Sequence, residues 1–182
     1  MKNQLKNQSK FLSLLLRHKP ETVDLTLDAQ GWANVSVLLE KINATNRSLT
    51  FTQLERIVTE NDKKRFVFNT DKTKIRAAQG HSLQVELGYK GVVPPAVLYH
   101  GTIAPTAKLI KNSGIKKMQR HHVHLSADIP TAEVVAARRG KPVILQVRAR
   151  AMHASGYAFY QSDNGVWLTD FVPAEYVDFS DY

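Results

Sequence analysis

Apolar residues recur at helical spacing three times before residue 60, then give way to the two-residue alternation of strands. Phe11, Leu12, Leu15 and Leu16 form a core-facing stripe, with Ser9 placed to cap the helix that carries them. Pro20 disfavours helical geometry at Lys19, so Arg17 and His18 fall in the last turn. The carbonyl end of the helix dipole favours positive charge there. Asp28-Ala29-Gln30-Gly31 reads as a turn, after which Asn34 caps a second helix carrying Leu38, Leu39 and Ile42. Thr52-Gln53-Leu54-Glu55 reads as a capping box that opens a third helix with Leu54, Ile57 and Val58 on one face. Arg65-Phe66-Val67-Phe68 and Lys74-Ile75-Arg76-Ala77 flank a polar loop and predict a hairpin. Ile75 and Ala77 share one face of it and Arg76 points the other way.

Helices followed by a two-stranded hairpin are the plan of a winged helix, a common nucleic-acid-binding module, by fold analogy alone. The predicted division is a first lobe over 1–83, a linker at 84–94 marked by Gly88, Gly91 and Pro94, and a second lobe over 95–182. Strands dominate the second lobe. They are expected at Val97–His100, His122–Leu125, Val143–Val147, Val166–Leu168 and Tyr176–Val177, with short helices at 106–112 and 130–139. Pro130 suits the first turn of the latter helix and Gly140 marks its end. The fold class expected is α+β.

Composition narrows the functional classes. The 182 residues hold 25 Lys and Arg against 16 Asp and Glu, a net charge of +9 that attracts polyanions. No cysteine is present, so disulfides and thiolate metal sites are excluded and a reducing compartment fits. No signal-like apolar core opens the chain and no run approaches membrane-spanning length; a soluble, cytoplasmic protein is expected, with no membrane partner. No G-x-G-x-x-G or Walker loop occurs, which argues against a Rossmann or P-loop nucleotide site.

Chemistry concentrates in three basic clusters, each at the expected end of a helix or strand. They are Leu16-Arg17-His18-Lys19-Pro20, Ile75-Arg76-Ala77-Ala78-Gln79-Gly80-His81 and Arg138-Arg139-Gly140-Lys141. Guanidinium groups fork onto phosphate oxygens, and an adjacent imidazole exchanges a proton near neutral pH. Tyr99-His100-Gly101-Thr102 closes a strand with a histidine, a glycine that admits close approach of a ligand to the backbone, and a hydroxyl. His124-Leu125-Ser126 repeats that logic, with His124 and Ser126 facing one way. His121, His122 and His124 do not make a zinc set: adjacent strand residues point to opposite faces, and no cysteine completes the ligands.

Several of these runs together resemble the RNA 2′-phosphotransferase family. They are Ser9 to Ser13 with Leu16 to Pro20, Gly31-Trp32-Ala33, Asp62-Lys63-Lys64-Arg65-Phe66, Ile75-Arg76-Ala77 with Gln79-Gly80-His81-Ser82, and Leu98 to Thr102. Val123 to Ala127, Arg138 to Pro142 and Asn164 to Thr169 extend the likeness over nearly the whole chain. The resemblance implies a winged-helix lobe joined to an ADP-ribosyltransferase-like lobe. It implies an enzyme that moves an internal RNA 2′-phosphate, tRNA being the family's known substrate, onto NAD⁺, which is consumed. The family's Arg-His-Arg-Arg tetrad falls on Arg17, His18, Arg76 and Arg138. His100, Gly101, Thr102 and Ser126 fall on NAD-binding positions, and no metal is implied. Toxin-like relatives carry a glutamate near Val166. An anionic phosphate needs no such base, which disfavours a protein acceptor. The alternative is transfer of ADP-ribose to another nucleic-acid phosphate or to a protein.

Overall fold

The computed structural model describes residues 2–60 and 64–179, the side chains of 2–4 excepted. Two compact units divide the chain, Met1–Gly88 and Tyr89–Tyr182, and both are mixtures of helix and antiparallel strand, an α+β protein.

In the first unit, α1 spans Lys2–Arg17, β1 Ala33–Asn34, α2 Val35–Asn43, α3 Phe51–Thr59, β2 Phe66–Phe68 and β3 Lys74–Ala77. Ser9 is not the cap of α1. It lies inside the helix, where its carbonyl accepts from Ser13 Oγ at 2.9 Å. The stripe runs one step further back than the sequence suggests: Leu5 packs on the same core as Leu12, Leu15 and Leu16, and that extra contact carries the helix toward its N-terminus.

Asn34 caps α2 as expected, its Oδ1 accepting from the backbone of Ser36 at 3.0 Å and Val37 at 3.2 Å. The capping box of α3 is Thr50 with Gln53, two residues before the predicted frame. Thr50 Oγ1 accepts from Gln53 N at 3.2 Å, and Gln53 Oε1 accepts from Thr50 N at 3.0 Å. Glutamine serves the back-bond as well as glutamate does, so Thr52 and Glu55 fall inside the helix.

The hairpin pairs Phe66 with Ala77, Val67 with Arg76 and Phe68 with Ile75. A third strand, not anticipated, lies on its other side: β1 pairs Ala33 with Ile75 and Asn34 with Lys74, giving the order β1-β3-β2. Ile75 and Ala77 are buried among the helices while Arg76 faces away. Asp62 and Lys63 lie outside the described residues.

In the second unit the elements are β4 Leu98–Ile103, α4 Ala104–Ser113, β5 Ile115–Lys116, β6 Val123–Leu125, α5 Ile129–Ala136 and β7 Pro142–Val147. Then follow α6 Ala149–Ala154, β8 Tyr160–Gln161, β9 Trp167–Thr169, β10 Phe171–Val172 and β11 Val177–Asp178. One sheet has the order β11-β7-β4 and another β6-β9-β8, both antiparallel. Tyr99 and Ser126 exchange both backbone hydrogen bonds, at 2.9 and 2.8 Å, which staples β4 to the segment just after β6. That staple helps set the geometry of the site, because it places His100 beside His124. The helix predicted over 130–139 ends at Ala136, so Arg138 and Arg139 sit in the turn that follows it. Helix α6, absent from the sequence reading, buries Ala149 and Met152.

Candidate active-site residues

Backbone accounting explains how the first unit presents Arg17 and His18. The C-terminal carbonyls of a helix lack intrahelical donors, and the Arg17 carbonyl is met by the backbone N–H of Ser82 at 3.0 Å. The same residue reaches His18, with Ser82 Oγ 3.0 Å from Nδ1. Arg17 Nη2 lies 3.5 Å from the Arg65 carbonyl, which also accepts from Ala78 N at 2.9 Å. Arg17 is thus set against the open end of the β2–β3 hairpin.

Arg76 extends from the outward face of that hairpin with its guanidinium 4.6 Å from the centroid of the Trp32 ring, a cation–π contact. Trp32 precedes β1, the neighbour of β3, so the added strand is what brings the indole under the arginine. His81, 1% exposed, packs behind Gly31. A side chain at Gly31 would start 3.5 Å from His81 Nε2, on backbone whose φ of +78° already favours glycine.

The second unit gathers a separate set. His100 Nδ1 is 3.3 Å from the His124 carbonyl, and donation from Nδ1–H leaves Nε2 as an acceptor. Burial, joined by the nearby charges of Arg139 and Arg120, lowers the His100 pKa from the usual histidine range, against the opposing pull of that carbonyl. His100 is therefore neutral at neutral pH. Arg120 Nη1 donates to His124 Nδ1 at 3.2 Å, which keeps the His124 proton on Nε2. The guanidinium of Arg120 is also pushed down, first by partial enclosure and then by the charges of Arg139 and Arg138. Three arginines that repel one another beside two imidazoles make a place ready for an anion. Arg120 escaped the sequence reading because it lies in an irregular loop, after Met118 at φ 55°, and only the fold puts it next to Arg138 and Arg139.

Of the three remaining predicted positions, Thr102 and Gly101 are tightly packed. Thr102 is 3% exposed, opposite Val143 in the sheet. At Gly101 the place of a Cβ is already filled, with the Ala132 carbonyl oxygen 2.0 Å away. What approaches that glycine closely on its side-chain side is helix α5. Ser126 is half-buried at the β4 staple. His122 and His124 have different neighbours: His122 sits edge-on between Tyr89 and Tyr160, 4.0 Å from Asp170 Oδ1. Among the described residues no group of three or more His, Cys, Asp or Glu is placed to hold a metal ion, and no helix is long and apolar enough to cross a membrane.

Residues 3–171 match the family described as RNA 2′-phosphotransferase, Tpt1 / KptA family. The chain belongs to this family. Its relatives include proteins named probable RNA 2′-phosphotransferase in three distant bacteria. That of Fusobacterium nucleatum is 59% identical over 171 residues, covering 93% of this chain and 96% of the relative. That of Burkholderia pseudomallei is 54% identical, covering 94% and 93%. That of Flavobacterium johnsoniae is 52% identical over 177 residues, 97% of each chain. For a member of the RNA 2′-phosphotransferase family, cationic clusters have a ready chemical meaning, since the transferred phosphate is anionic.

Proposed function

We propose that this protein removes an internal 2′-phosphate from RNA, tRNA being the expected substrate, by transferring it to NAD⁺. In this reading the first unit is a winged-helix lobe and the second an ADP-ribosyltransferase-like lobe. An oxygen of the RNA 2′-phosphate attacks C1″ of the nicotinamide ribose, and the C1″–N bond breaks to release neutral nicotinamide. The 2″-hydroxyl then attacks the phosphorus and loses its proton, while the bond from phosphorus to the RNA 2′-oxygen breaks and that oxygen gains one. The products are 2′-hydroxyl RNA and ADP-ribose 1″,2″-cyclic phosphate. NAD⁺ is a substrate here and no hydride moves.

The observation that carries the reading is the family match over residues 3–171. Arg17, Arg76 and Arg138 are assigned to the phosphate oxygens, where fixed positive charge offsets what develops in a phosphorane-like transition state. Arg120 joins them on the strength of its place beside Arg138 and Arg139. His18 is assigned as the acid that protonates the departing RNA 2′-oxygen, the alternative being the base that relieves the 2″-hydroxyl. Neutral His100, with Nε2 as acceptor, suits a ribose hydroxyl of NAD⁺; Gly101 and Thr102 follow it in β4, and Ser126 is bridged to β4 at Tyr99. The test is a 2′-phosphorylated oligonucleotide incubated with NAD⁺, beside a terminally phosphorylated oligonucleotide and a protein acceptor. Nicotinamide release and 2′-hydroxyl RNA are expected only with the first. NAD⁺ left intact there, or consumed equally with the others, overturns the proposal.

Two further results are expected. Because the His100 pKa is lowered, its ring stays neutral as pH falls through the ordinary histidine range, and protonates only below it. The KM for NAD⁺ should therefore hold steady from pH 8 through about 6.5 and rise only at lower pH. A rise that starts above 7 would mean Nε2 is not the acceptor.

Arg120→Ala and Arg138→Ala are each expected to lower turnover about 10- to 100-fold, less than an isolated catalytic cation, because neighbouring arginines share the load. A loss confined to one of them would remove the other from the site.

A further inference from the structure

We infer that Ser82 is a positioning residue for His18, holding the imidazole by Nδ1 so that proton transfer falls to Nε2. The inference rests on the proposed reaction and adds to it a residue with no charge and no nucleophilic duty. Ser82 makes two contacts of different kind with the end of α1. Its backbone N–H donates to the Arg17 carbonyl at 3.0 Å, and its Oγ lies 3.0 Å from His18 Nδ1. The first contact terminates the helix and any residue but proline could make it. The second depends on the hydroxyl.

His18 lies one residue past the end of α1 and is exposed, and its Nδ1 is met by the Ser82 hydroxyl. An imidazole turning about its Cβ–Cγ bond presents Nδ1 and Nε2 by turns, and a proton donor that wanders loses most of the benefit of position. A hydroxyl is the partner that tolerates both protonation states. It accepts from Nδ1–H when the ring is charged, and it still accepts after Nε2–H has given its proton to the departing RNA 2′-oxygen. An amide or a carboxylate in its place would tie the ring more tightly but bias its charge. The two contacts share one residue, so the ring is oriented by the same segment that fixes the Arg17 backbone, and Arg17 and His18 are set as a pair.

Ser82→Ala deletes the hydroxyl and keeps the backbone cap, whereas Ser82→Thr keeps both. With the wild-type chain, NAD⁺ and a 2′-phosphorylated oligonucleotide, single-turnover kinetics separate nicotinamide release from phosphate release. Ser82→Ala is expected to slow phosphate release about 10-fold, part of what a positioned acid supplies, and to leave nicotinamide release within about twofold. Ser82→Thr should recover the lost rate. The ¹⁵N resonance of His18 Nδ1 gives a second readout that needs no turnover: it should move in Ser82→Ala and return in Ser82→Thr.

Equal slowing of both steps, or no slowing, overturns the inference while the proposed reaction stands. An unmoved Nδ1 resonance overturns it as well. If the wild-type chain leaves NAD⁺ intact, the functional reading has failed, and the nitrogen resonance alone then decides whether Ser82 holds the ring.

Discussion

His18→Ala is expected to separate the two chemical steps and accumulate RNA carrying an ADP-ribosylated 2′-phosphate. The reason lies in the leaving groups. Nicotinamide departs as a neutral base and asks for little proton transfer. An RNA 2′-alkoxide is a poor leaving group, and its departure gains strongly from an acid. Removing a positioned acid costs about 10²- to 10⁴-fold in the step it serves. The first step, which relies on arginine charge and on the fit of NAD⁺, should lose far less. Quenched time points resolved by gel and mass should show the intermediate rising to near the concentration of input RNA and decaying slowly. A variant that consumes no NAD⁺ and makes no intermediate would assign His18 to binding or to the first step. The fold leaves little room for a purely structural loss, because His18 is exposed and the α1 terminus is capped by backbone atoms of Ser82.

The sequence made some of this visible and hid the rest for physical reasons. The helical stripe through Leu12, Leu15 and Leu16 and the alternation around Ile75 and Ala77 are strong signals because each faces a core on one side only. Asn34 was legible because a cap is a local interaction. The Thr50–Gln53 box was misplaced because glutamine and glutamate serve the same back-bond, so two overlapping frames compete. Strand β1 has two residues, too few to carry a period, and exists because the edge of β3 was there to be paired. The arginine cluster of Arg120, Arg138 and Arg139 joins segments from opposite sides of β6 and α5 and has no linear signature. Ser82 stood within a motif whose neighbours carried the charge, and its role follows only from where α1 ends. At Gly101 a glycine beside a histidine suggested room for a ligand, and on its Cβ side the space is taken by a helix that the sequence did not place there.

Gly101→Ala should therefore act on folding before it acts on catalysis. The added methyl would begin 2.0 Å from the Ala132 carbonyl oxygen, 2.8 Å from its carbonyl carbon and 3.2 Å from Ala136 Cβ. Two of these are backbone atoms of α5, so no side chain can rotate away, and helix and strand must part. Overpacking of a tight contact costs about 1–3 kcal/mol and more where backbone must move. In a unit of this size a loss of about 3 kcal/mol corresponds to a fall in Tm of about 10 °C or more. Gly91→Ala is the matched control, since nothing lies within 4 Å of its added methyl, and its melting should be unchanged within about 2 °C. Strand β4 carries His100, and α5 leads into Arg138 and Arg139, so a shift of one against the other also disturbs the burial that, with the charges of Arg139 and Arg120, lowers the His100 pKa. The variant should thus show a weaker NAD⁺ interaction even at temperatures where it remains folded. A Gly101→Ala protein with unaltered melting would mean that α5 is free to move off the strand, and unaltered melting with NAD⁺ binding lost would mean that the glycine answers to the ligand after all.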